Sequence, residues 1–240
     1  HREAAKARRC LDSGDIEAVR AQMPSLVSRD PSRLTAQQAT AATVESVSEN
    51  ISDSFLGPWL AFALFGLSGA FAYRAINTLD SMIGYRTPRH EAFGWAAARF
   101  DDLLNLVPAR LTALLIWLAH GCPATWRDMA RDARLHRSPN AGRPEAAMAA
   151  ALGTALSGPW SYNGETRDFP FVNPDGRRDP GPAEIEAATR ALISGLNPYS
   201  ISYLAHRKRP QTGYALFKEI ILEFKYFSCY SLYCLLPLFD

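Results

Sequence analysis

The sequence predicts an all-α protein, a membrane helical bundle with polar helices and loops on one side. Two apolar runs predict it. The window 54–73 carries no charged residue and has the roughly 20 residues that a bilayer span needs. The run 111–126 is also apolar but shorter, a length that suits a core or re-entrant helix as well as a span. A buried helix in a soluble protein would show the same hydropathy, and that alternative stays open.

Composition restricts the class of function. Hydrophobic residues make up 48% and charged residues 21%, which are ordinary globular values. We therefore expect only a minority of segments to contact a membrane. The formal net charge of +2 gives no electrostatic reason to expect nucleic acid as a partner. The four cysteines and five histidines form no zinc-ligand spacing, and no GxxxxGKS/T phosphate-binding loop occurs.

Local patterns predict where the first helices begin. The chain starts at His1 rather than at a methionine, and its first residues have the pattern of a helix interior, so we expect an N-terminally truncated fragment. Thr35 followed by Gln38 is a capping box, which predicts a long helix from Ala36. Residues 163–182 are rich in Pro, Gly, Asn and Asp, and they predict a loop.

The predicted long helix carries a row of acidic residues. Glu45, Glu49 and Asp53 recur at every fourth position and therefore stack along one helical face, with Asn50 beside them. Like charges at this spacing repel by about 0.2–0.5 kcal/mol per pair. Carboxylate and amide oxygens suit Mg²⁺, which usually bridges to substrate phosphate. A solvated helix face would show the same pattern, and periodicity alone favours that alternative.

Three further polar clusters flank the apolar runs, where ionisable groups are costly unless they are used. Arginine suits bidentate contacts to phosphate or carboxylate, paired carboxylates can share a metal, and a Ser-Pro-Asn-Ala-Gly turn presents backbone N–H groups to an anion. The alternatives are an interfacial helix end, a polar helix cap and an ordinary loop. The clusters are Tyr73, Arg74, Asn77, Asp80 and Ser81; Arg99, Asp101, Asp102, Asn105 and Arg110; and His136, Ser138, Asn140 and Gly142.

Amino-acid usage changes near residue 206. A single lysine, Lys6, precedes His206, whereas the residues after it contain three lysines and a high density of Tyr and Phe. We therefore divide the chain into a main domain, 1–205, and an atypical tail, 206–240. The tail is interpreted either as a non-native or frame-shifted segment or as an apolar membrane anchor.

Six strings, taken together, resemble the adenosylcobinamide-phosphate synthase family, CobD/CbiB. They are Arg29-Asp30, ATVESVSENISDSFLGP, AYRAINTLDSMIGYR, FGWAAARFDDLLNLVPARLTALL, SPNAGRPEAAMAAAL and SGPWSYNG. They occur in the family's order with family-like gaps, over roughly residues 2–200. One string alone is a weak signal, whereas six in order are specific. The family's N-terminal membrane segments have no counterpart in the sequence, and the tail after Ala205 does not resemble the family.

The resemblance implies a polytopic, multi-pass protein of the bacterial inner membrane that acts in cobalamin biosynthesis. The family's reaction joins a corrinoid, adenosylcobyric acid, to (R)-1-amino-2-propanol phosphate, or to free aminopropanol in some lineages, as an amide. ATP is consumed and Mg²⁺ is expected. The implied partners are the corrinoid, the amine and membrane lipid, with no nucleic acid, and the oligomeric state stays open.

The chemistry of such a ligase assigns roles to the matching positions. A propionate carboxylate is first activated, as an acyl phosphate, and the amine then attacks, so the site needs Mg²⁺ ligands, cations for phosphate groups and a base near the ammonium. The predicted catalytic residues are Glu45, Glu49, Asp53, Asp80 and Asp102, and the predicted metal ligands are Glu49, Asp53 and Asp101. The predicted substrate contacts are Asn50, Arg74, Asn77, Ser81, Arg99, Arg110, Ser138, Asn140 and Gly142.

Two other functions compete with this interpretation. A membrane prenyltransferase also binds Mg²⁺-pyrophosphate with acidic clusters on helices, but it would show two Asp-rich motifs of the DxxxD type, which only the acidic row from Glu45 to Asp53 approaches. An AmpE-like membrane sensor would be a distant, non-catalytic relative. The retained strings SENISD, NTLDSM and SPNAG argue against such a sensor.

Overall fold

The computed structural model describes residues 2–27, 30–83, 91–121, 123–162 and 165–194. Within these ranges the chain is mostly helical, with a few very short strands. The tail, 206–240, lies outside the described residues, and so does Arg29 of the first family-like string. The α-helices are α1 (Arg2–Asp12), α2 (Ile16–Gln22), α3 (Ala36–Asn50), α4 (Gly57–Ile83), α5 (Glu91–Leu104), α6 (Leu106–Ala119), α7 (Trp126–Asp132), α8 (Gly142–Leu152) and α9 (Pro182–Ser194). The strands are β1 (Leu156–Ser157), β2 (Trp160–Tyr162), β3 (Glu165–Arg167) and β4 (Phe171–Val172).

Helix α3 lies at the centre of the folded core. It begins at Ala36, as the capping box predicts, because Gln38 N donates to Thr35 Oγ1 at 3.2 Å and Thr35 N donates to the Gln38 side chain at 3.0 Å. Helices α8 and α9 pack against α3, whose buried alanines allow a close approach. Val44 of α3 and Met148 of α8 are fully buried in this core.

The strands follow α8 and correct the all-α prediction. Helix α8 ends at Leu152 and is capped by Gly153, whose φ of 63° is a left-handed conformation that glycine adopts without strain. Strand β1 then pairs antiparallel with β4, and β2 pairs antiparallel with β3. The region 163–182, predicted as a loop, therefore contains β3 and β4. Strands of two or three residues are too short to show the alternation that predicts a strand.

The uncharged window that predicts a membrane span does not follow a straight path. At Gly66 the backbone has φ 65° and ψ −157°, far from helical values. In a straight helix Gly57 and Tyr73 would lie about 24 Å apart, yet a Cβ on Gly57 would overlap the Tyr73 ring. Gly69 likewise packs directly on the backbone of Ala61. The segment is therefore a helical hairpin that turns at Gly66.

The hairpin changes how the apolar segment can meet a membrane. By length and composition alone, and among the described residues, the helical stretch Ala36–Ile83 is a candidate span, and the bent pair Gly94–Leu104 and Leu106–Ala119 is a second if it forms one broken span. The turn corrects the expectation of one straight crossing, because the apolar part of each limb is shorter than a bilayer core of about 30 Å. Leu64 and Phe65, beside the turn, are each 72% exposed and give the hairpin an apolar tip. The multi-pass bundle stays a prediction.

Candidate functional site

A cavity of about 810 Å³ is lined by residues of α3, α4, α5 and α8 and by the turn 136–141 that precedes α8. This volume falls in the range of about 300–1,000 Å³ that is usual for small-molecule sites. Most of the predicted site residues lie on its wall. They are Glu45, Glu49, Asn50, Asp53, Asn77, Asp80, Ser81, Asp101, Asp102, Ser138 and Asn140.

Asp101 is held in place by two amide side chains. Asn77 Nδ2 donates to one of its carboxylate oxygens at 3.2 Å, and Asn105 Nδ2 donates to the other at 2.9 Å. The buried Tyr73 hydroxyl donates in turn to the side-chain oxygen of Asn105. These bonds orient Asp101 and leave a lone pair on each of its oxygens for a cation. Asn105 and Tyr73, which belong to the predicted polar clusters but were not among the predicted site residues, are thus positioning residues. The signal that could have found them is their place inside two of the family-like strings.

The carboxylates of the cavity repel one another. Asp53 is close enough to three other carboxylates to be repelled by all of them, and it is itself half-buried. They are Glu49, Asp80 and Asp101. Asp80 is also repelled by Asp102. Half-buried like charges are unfavourable unless a cation compensates them, so this wall of the cavity suits a divalent metal better than it suits solvent alone.

The position of Asp53 is set by an irregular stretch of helix. Between α3 and α4 the chain forms a π-helical turn, Ile51–Leu56, which is wider than an α-helix. Such turns are frequent at functional sites. The regular spacing that predicts the acidic row therefore ends at Asn50, and the position of Asp53 depends on the π-helical turn.

Two residues of the acidic row also make local bonds. Glu45 is only 3% exposed, and its carboxylate accepts from Ser157 N at 2.7 Å, which ties α3 to β1. Asn50 Nδ2 donates to Ser46 O at 2.7 Å, and its side-chain oxygen accepts from Ser54 Oγ at 2.8 Å. Both residues line the cavity, but these bonds give each of them a structural role as well.

Four predicted substrate contacts do not line the cavity. Arg74 is exposed, and its guanidinium lies 3.4 Å from the side-chain oxygen of Asn77, which does line the cavity. Arg99 is also exposed and lies over the Trp95 ring, 5.9 Å from its centroid. The four are Arg74, Arg99, Arg110 and Gly142. Direct contact with substrate stays a prediction for each of them.

The turn 136–141 satisfies part of its own backbone. Ser138 Oγ accepts from two N–H groups of the turn, at 3.3 and 3.1 Å, and Asn140 Nδ2 donates to Asp102 O at 2.7 Å. The backbone N–H groups that the sequence offers to an anion are therefore partly occupied. Position 142 requires glycine for a steric reason, because a Cβ there would collide with the carbonyl oxygen of Ala133.

Arg110 belongs to a positive patch beside this turn. Its guanidinium lies 3.4 Å from the side-chain oxygen of Asn140. Burial lowers the pKa of Arg143 below its ordinary value, and the positive charges of Arg110 and Arg134 lower it further. In the part of the chain that the structure describes, none of the three guanidinium groups forms an ion pair. Uncompensated positive charge of this kind suits a phosphate or carboxylate group.

Two residues on the cavity wall were not among the predicted site residues, although His136 belongs to one of the predicted polar clusters. Glu145, in the first turn of α8, is 3% exposed, and its Oε1 lies 3.5 Å from His136 Nε2. His136 stands beside the predicted turn and is half-buried. An isolated glutamate in an alanine-rich stretch carries no periodic signal, so only its membership of a family-like string could have indicated Glu145.

The predicted metal ligands form an incomplete set by themselves. Among the described residues, no three His, Cys, Asp or Glu side chains are grouped to hold one metal ion. Mg²⁺ is usually bound by one or two carboxylates together with substrate phosphates and waters. Glu49, Asp53 and Asp101 fit that partial role, because a cation would offset their mutual repulsion. Their metal binding stays a prediction.

Comparison with known proteins gives a family match over most of the chain. A family model described as CobD/Cbib protein matches residues 1–192. The chain is 49% identical over 200 residues to a Rhodobacter capsulatus protein named cobalamin biosynthesis protein CobD, which covers 82% of the chain and 63% of that protein. Proteins with the same name from Brucella suis and Mycobacterium tuberculosis are 46% and 44% identical, over 80% and 83% of the chain and 62% and 66% of their own lengths. The chain thus spans somewhat under two thirds of the first two relatives. No solved structure matches it.

Proposed function

The chain belongs to the CobD/CbiB protein family, and from this premise we propose that it acts in cobalamin biosynthesis. The proposed reaction is the ATP-dependent formation of an amide that joins adenosylcobyric acid to (R)-1-amino-2-propanol phosphate, or to free aminopropanol, to give adenosylcobinamide phosphate or its unphosphorylated form. The names of the relatives support the pathway. One structural observation carries the rest: eleven predicted site residues, from three helices, a π-helical turn and a loop, line one cavity.

The acidic wall is proposed to hold the nucleotide. Glu49, Asp53 and Asp101 would bind Mg²⁺ together with phosphate oxygens of ATP. When bound, the cation supplies charge compensation for the phosphate groups. The chain's own contribution is orientation, since the amides of Asn77 and Asn105 hold Asp101 before any ligand arrives. A preoriented carboxylate avoids a reorganisation cost when the nucleotide binds.

The positive patch beside the turn 136–141 is proposed to bind phosphate groups. Arg110 reaches Asn140 of the cavity wall, and Arg134 and Arg143 add charge next to it. Both the nucleotide and the phosphorylated amine carry phosphate, and guanidinium groups are the side chains that bind phosphate most specifically. The cavity therefore has an acidic wall for a cation and a basic flank for anions.

The proposed activity has a direct test. In membrane vesicles, the protein is expected to convert adenosylcobyric acid and aminopropanol phosphate to adenosylcobinamide phosphate only when ATP and Mg²⁺ are both present, as measured by liquid chromatography and mass spectrometry. Asp179→Asn is a suitable control, because the Asp179 side chain is 78% exposed and pairs with Arg177. Absence of product in the complete mixture would overturn the proposal. Turnover of a polyprenyl diphosphate instead would favour a prenyltransferase.

We further propose that the hairpin enters the membrane and leaves it on the same side. Asp53 precedes the hairpin and Asp80 follows it, and both line one cavity. Because the two ends meet, the uncharged window between them cannot place them on opposite faces of a bilayer. The exposed Leu64 and Phe65 would then lie in the hydrocarbon of one leaflet.

Cysteine labelling tests this topology. In a background without the native cysteines, Ser54→Cys and Thr78→Cys, at exposed positions on either side of the hairpin, are expected to react with a membrane-impermeant maleimide from the same side of the membrane. Ser68→Cys, near the tip, is expected to be shielded from both sides. Labelling of positions 54 and 78 from opposite sides would instead show a conventional crossing.

A further inference from the structure

The pair formed by His136 and Glu145 has a place in the cavity that the proposed nucleotide site does not use. Glu145 is a carboxylate with 3% exposure at the first turn of α8, and its Oε1 lies 3.5 Å from His136 Nε2, which is within ion-pair distance. Both side chains line the cavity. A carboxylate next to an imidazole in a sheltered position is an arrangement that can accept a proton and keep it.

The surroundings of the imidazole accommodate both of its protonation states. Ser138 N donates to His136 Nδ1 at 3.0 Å, so a neutral ring carries its hydrogen on Nε2, which faces Glu145. Ser138 O lies 3.4 Å from the same Nδ1 and can accept a hydrogen from a ring that has become protonated. The turn therefore supplies one partner for each state without moving the ring.

Other acidic residues of the cavity are less suited to that task. Glu45 already accepts from Ser157 N, which draws on its capacity to take a proton. Asp53 lies among three other carboxylates and belongs with the proposed metal ligands. On the described lining of the cavity, Glu145 is the carboxylate with an imidazole within ion-pair distance.

We propose that His136 and Glu145 form the subsite that binds a primary amine substrate and takes up its proton. This inference rests on the proposed amide-forming function and deepens it. The carboxylate attracts the ammonium form, which is the form of an alkyl amine at neutral pH. One proton passes from the ammonium to the Glu145–His136 pair. The free nitrogen pair then attacks the activated acyl carbon, the C–N bond forms, the bond from that carbon to the phosphate oxygen breaks, and phosphate leaves. The second nitrogen proton leaves to solvent.

Hydroxylamine separates this step from the activation of the acid. Hydroxylamine is already largely unprotonated at neutral pH, so it captures an activated carboxylate as a hydroxamate without needing a base. Glu145→Gln is expected to lower the kcat of amide formation by at least about 100-fold, as for loss of a general base. In the same variant, ATP-dependent hydroxamate formation from adenosylcobyric acid is expected to keep its wild-type rate.

The controls make each outcome decisive. Glu186→Gln, on α9, changes a glutamate that pairs with Arg8 and Arg190 outside the cavity, and it should leave both reactions unchanged. Wild-type amide formation in Glu145→Gln would overturn the inference. If Glu145→Gln loses both reactions, His136→Gln decides: selective loss of the amide supports the inference, and any other result overturns it. Failure of the wild-type protein to form hydroxamate would count against the proposed function instead.

Discussion

Asp53→Asn is expected to abolish product formation while raising the temperature at which the protein unfolds. Asparagine keeps the volume of the side chain but removes a half-buried carboxyl group whose ionised form is disfavoured by burial and by repulsion from neighbouring carboxylates. Without a cation, that repulsion destabilises the folded chain, so its removal stabilises the chain. The proposed metal ligand is lost at the same time. Loss of groups that merely support a metal ligand lowers activity about 10–100-fold, so loss of a ligand itself should lower activity by at least about 100-fold.

A gain in stability together with a loss of activity would distinguish a metal site from a solvated helix face. The measurements are turnover at saturating Mg²⁺ and thermal unfolding in a buffer with a metal chelator. Asp179→Asn removes an exposed carboxylate outside the cavity, and it should change neither quantity appreciably. Wild-type turnover of Asp53→Asn would remove this carboxylate from the metal site. A lower unfolding temperature would mean that the Asp53 carboxylate stabilises the fold rather than destabilising it.

The acidic row shows what helical periodicity can predict and what it cannot. The capping box at Thr35 and the spacing of the row correctly predicted where α3 begins and that its carboxylates share a face. Periodicity alone favoured a solvated face, because a one-dimensional pattern contains no information about what lies opposite. Asn77 and Asp101 lie opposite, and they come from segments more than 20 residues away along the chain. The order of the family-like strings, rather than any single pattern, indicated that these segments converge.

Other features were beyond sequence reasoning for physical reasons. An arginine near an apolar run looks the same whether it faces a cavity or, like Arg99, covers a neighbouring tryptophan. A glycine in an uncharged helix can allow close packing, as Gly57 does against Tyr73, or it can reverse the chain, as Gly66 does. Glu145 is the single acidic residue of α8, and its role depends on His136, which a turn brings beside it.

The hairpin and the acidic wall are connected through Tyr73. The turn at Gly66 brings the Tyr73 side chain back against Gly57, at the start of α4. From there the hydroxyl reaches Asn105, which in turn holds Asp101. The apolar segment therefore has a role that is independent of the proposed membrane contact, because it sets the orientation of a predicted metal ligand.

Gly57→Ala is consequently expected to destabilise the protein and to inactivate it, although alanine is the better helix former. Gly57 has ordinary helical angles, and helix propensity alone would favour alanine by about 1 kcal/mol. A Cβ at this position overlaps the Tyr73 ring, so the ring must move and its bond to Asn105 is lost. Overpacking costs about 1–3 kcal/mol and an unsatisfied buried partner a similar amount, which leaves a net loss of about 1–5 kcal/mol after the gain in helix propensity.

A double-mutant cycle with Tyr73→Leu tests the cause of that loss. Tyr73→Leu alone should destabilise the protein, because it removes the ring and the bond to Asn105. In the Tyr73→Leu background the obstacle to a Cβ at Gly57 is gone, so Gly57→Ala should become neutral or stabilising by up to about 1 kcal/mol. The change of sign is measured by unfolding in detergent. If Gly57→Ala instead costs the same with tyrosine or leucine at position 73, the contact that joins the two limbs of the hairpin does not exist, and the route from the apolar segment to Asp101 fails with it.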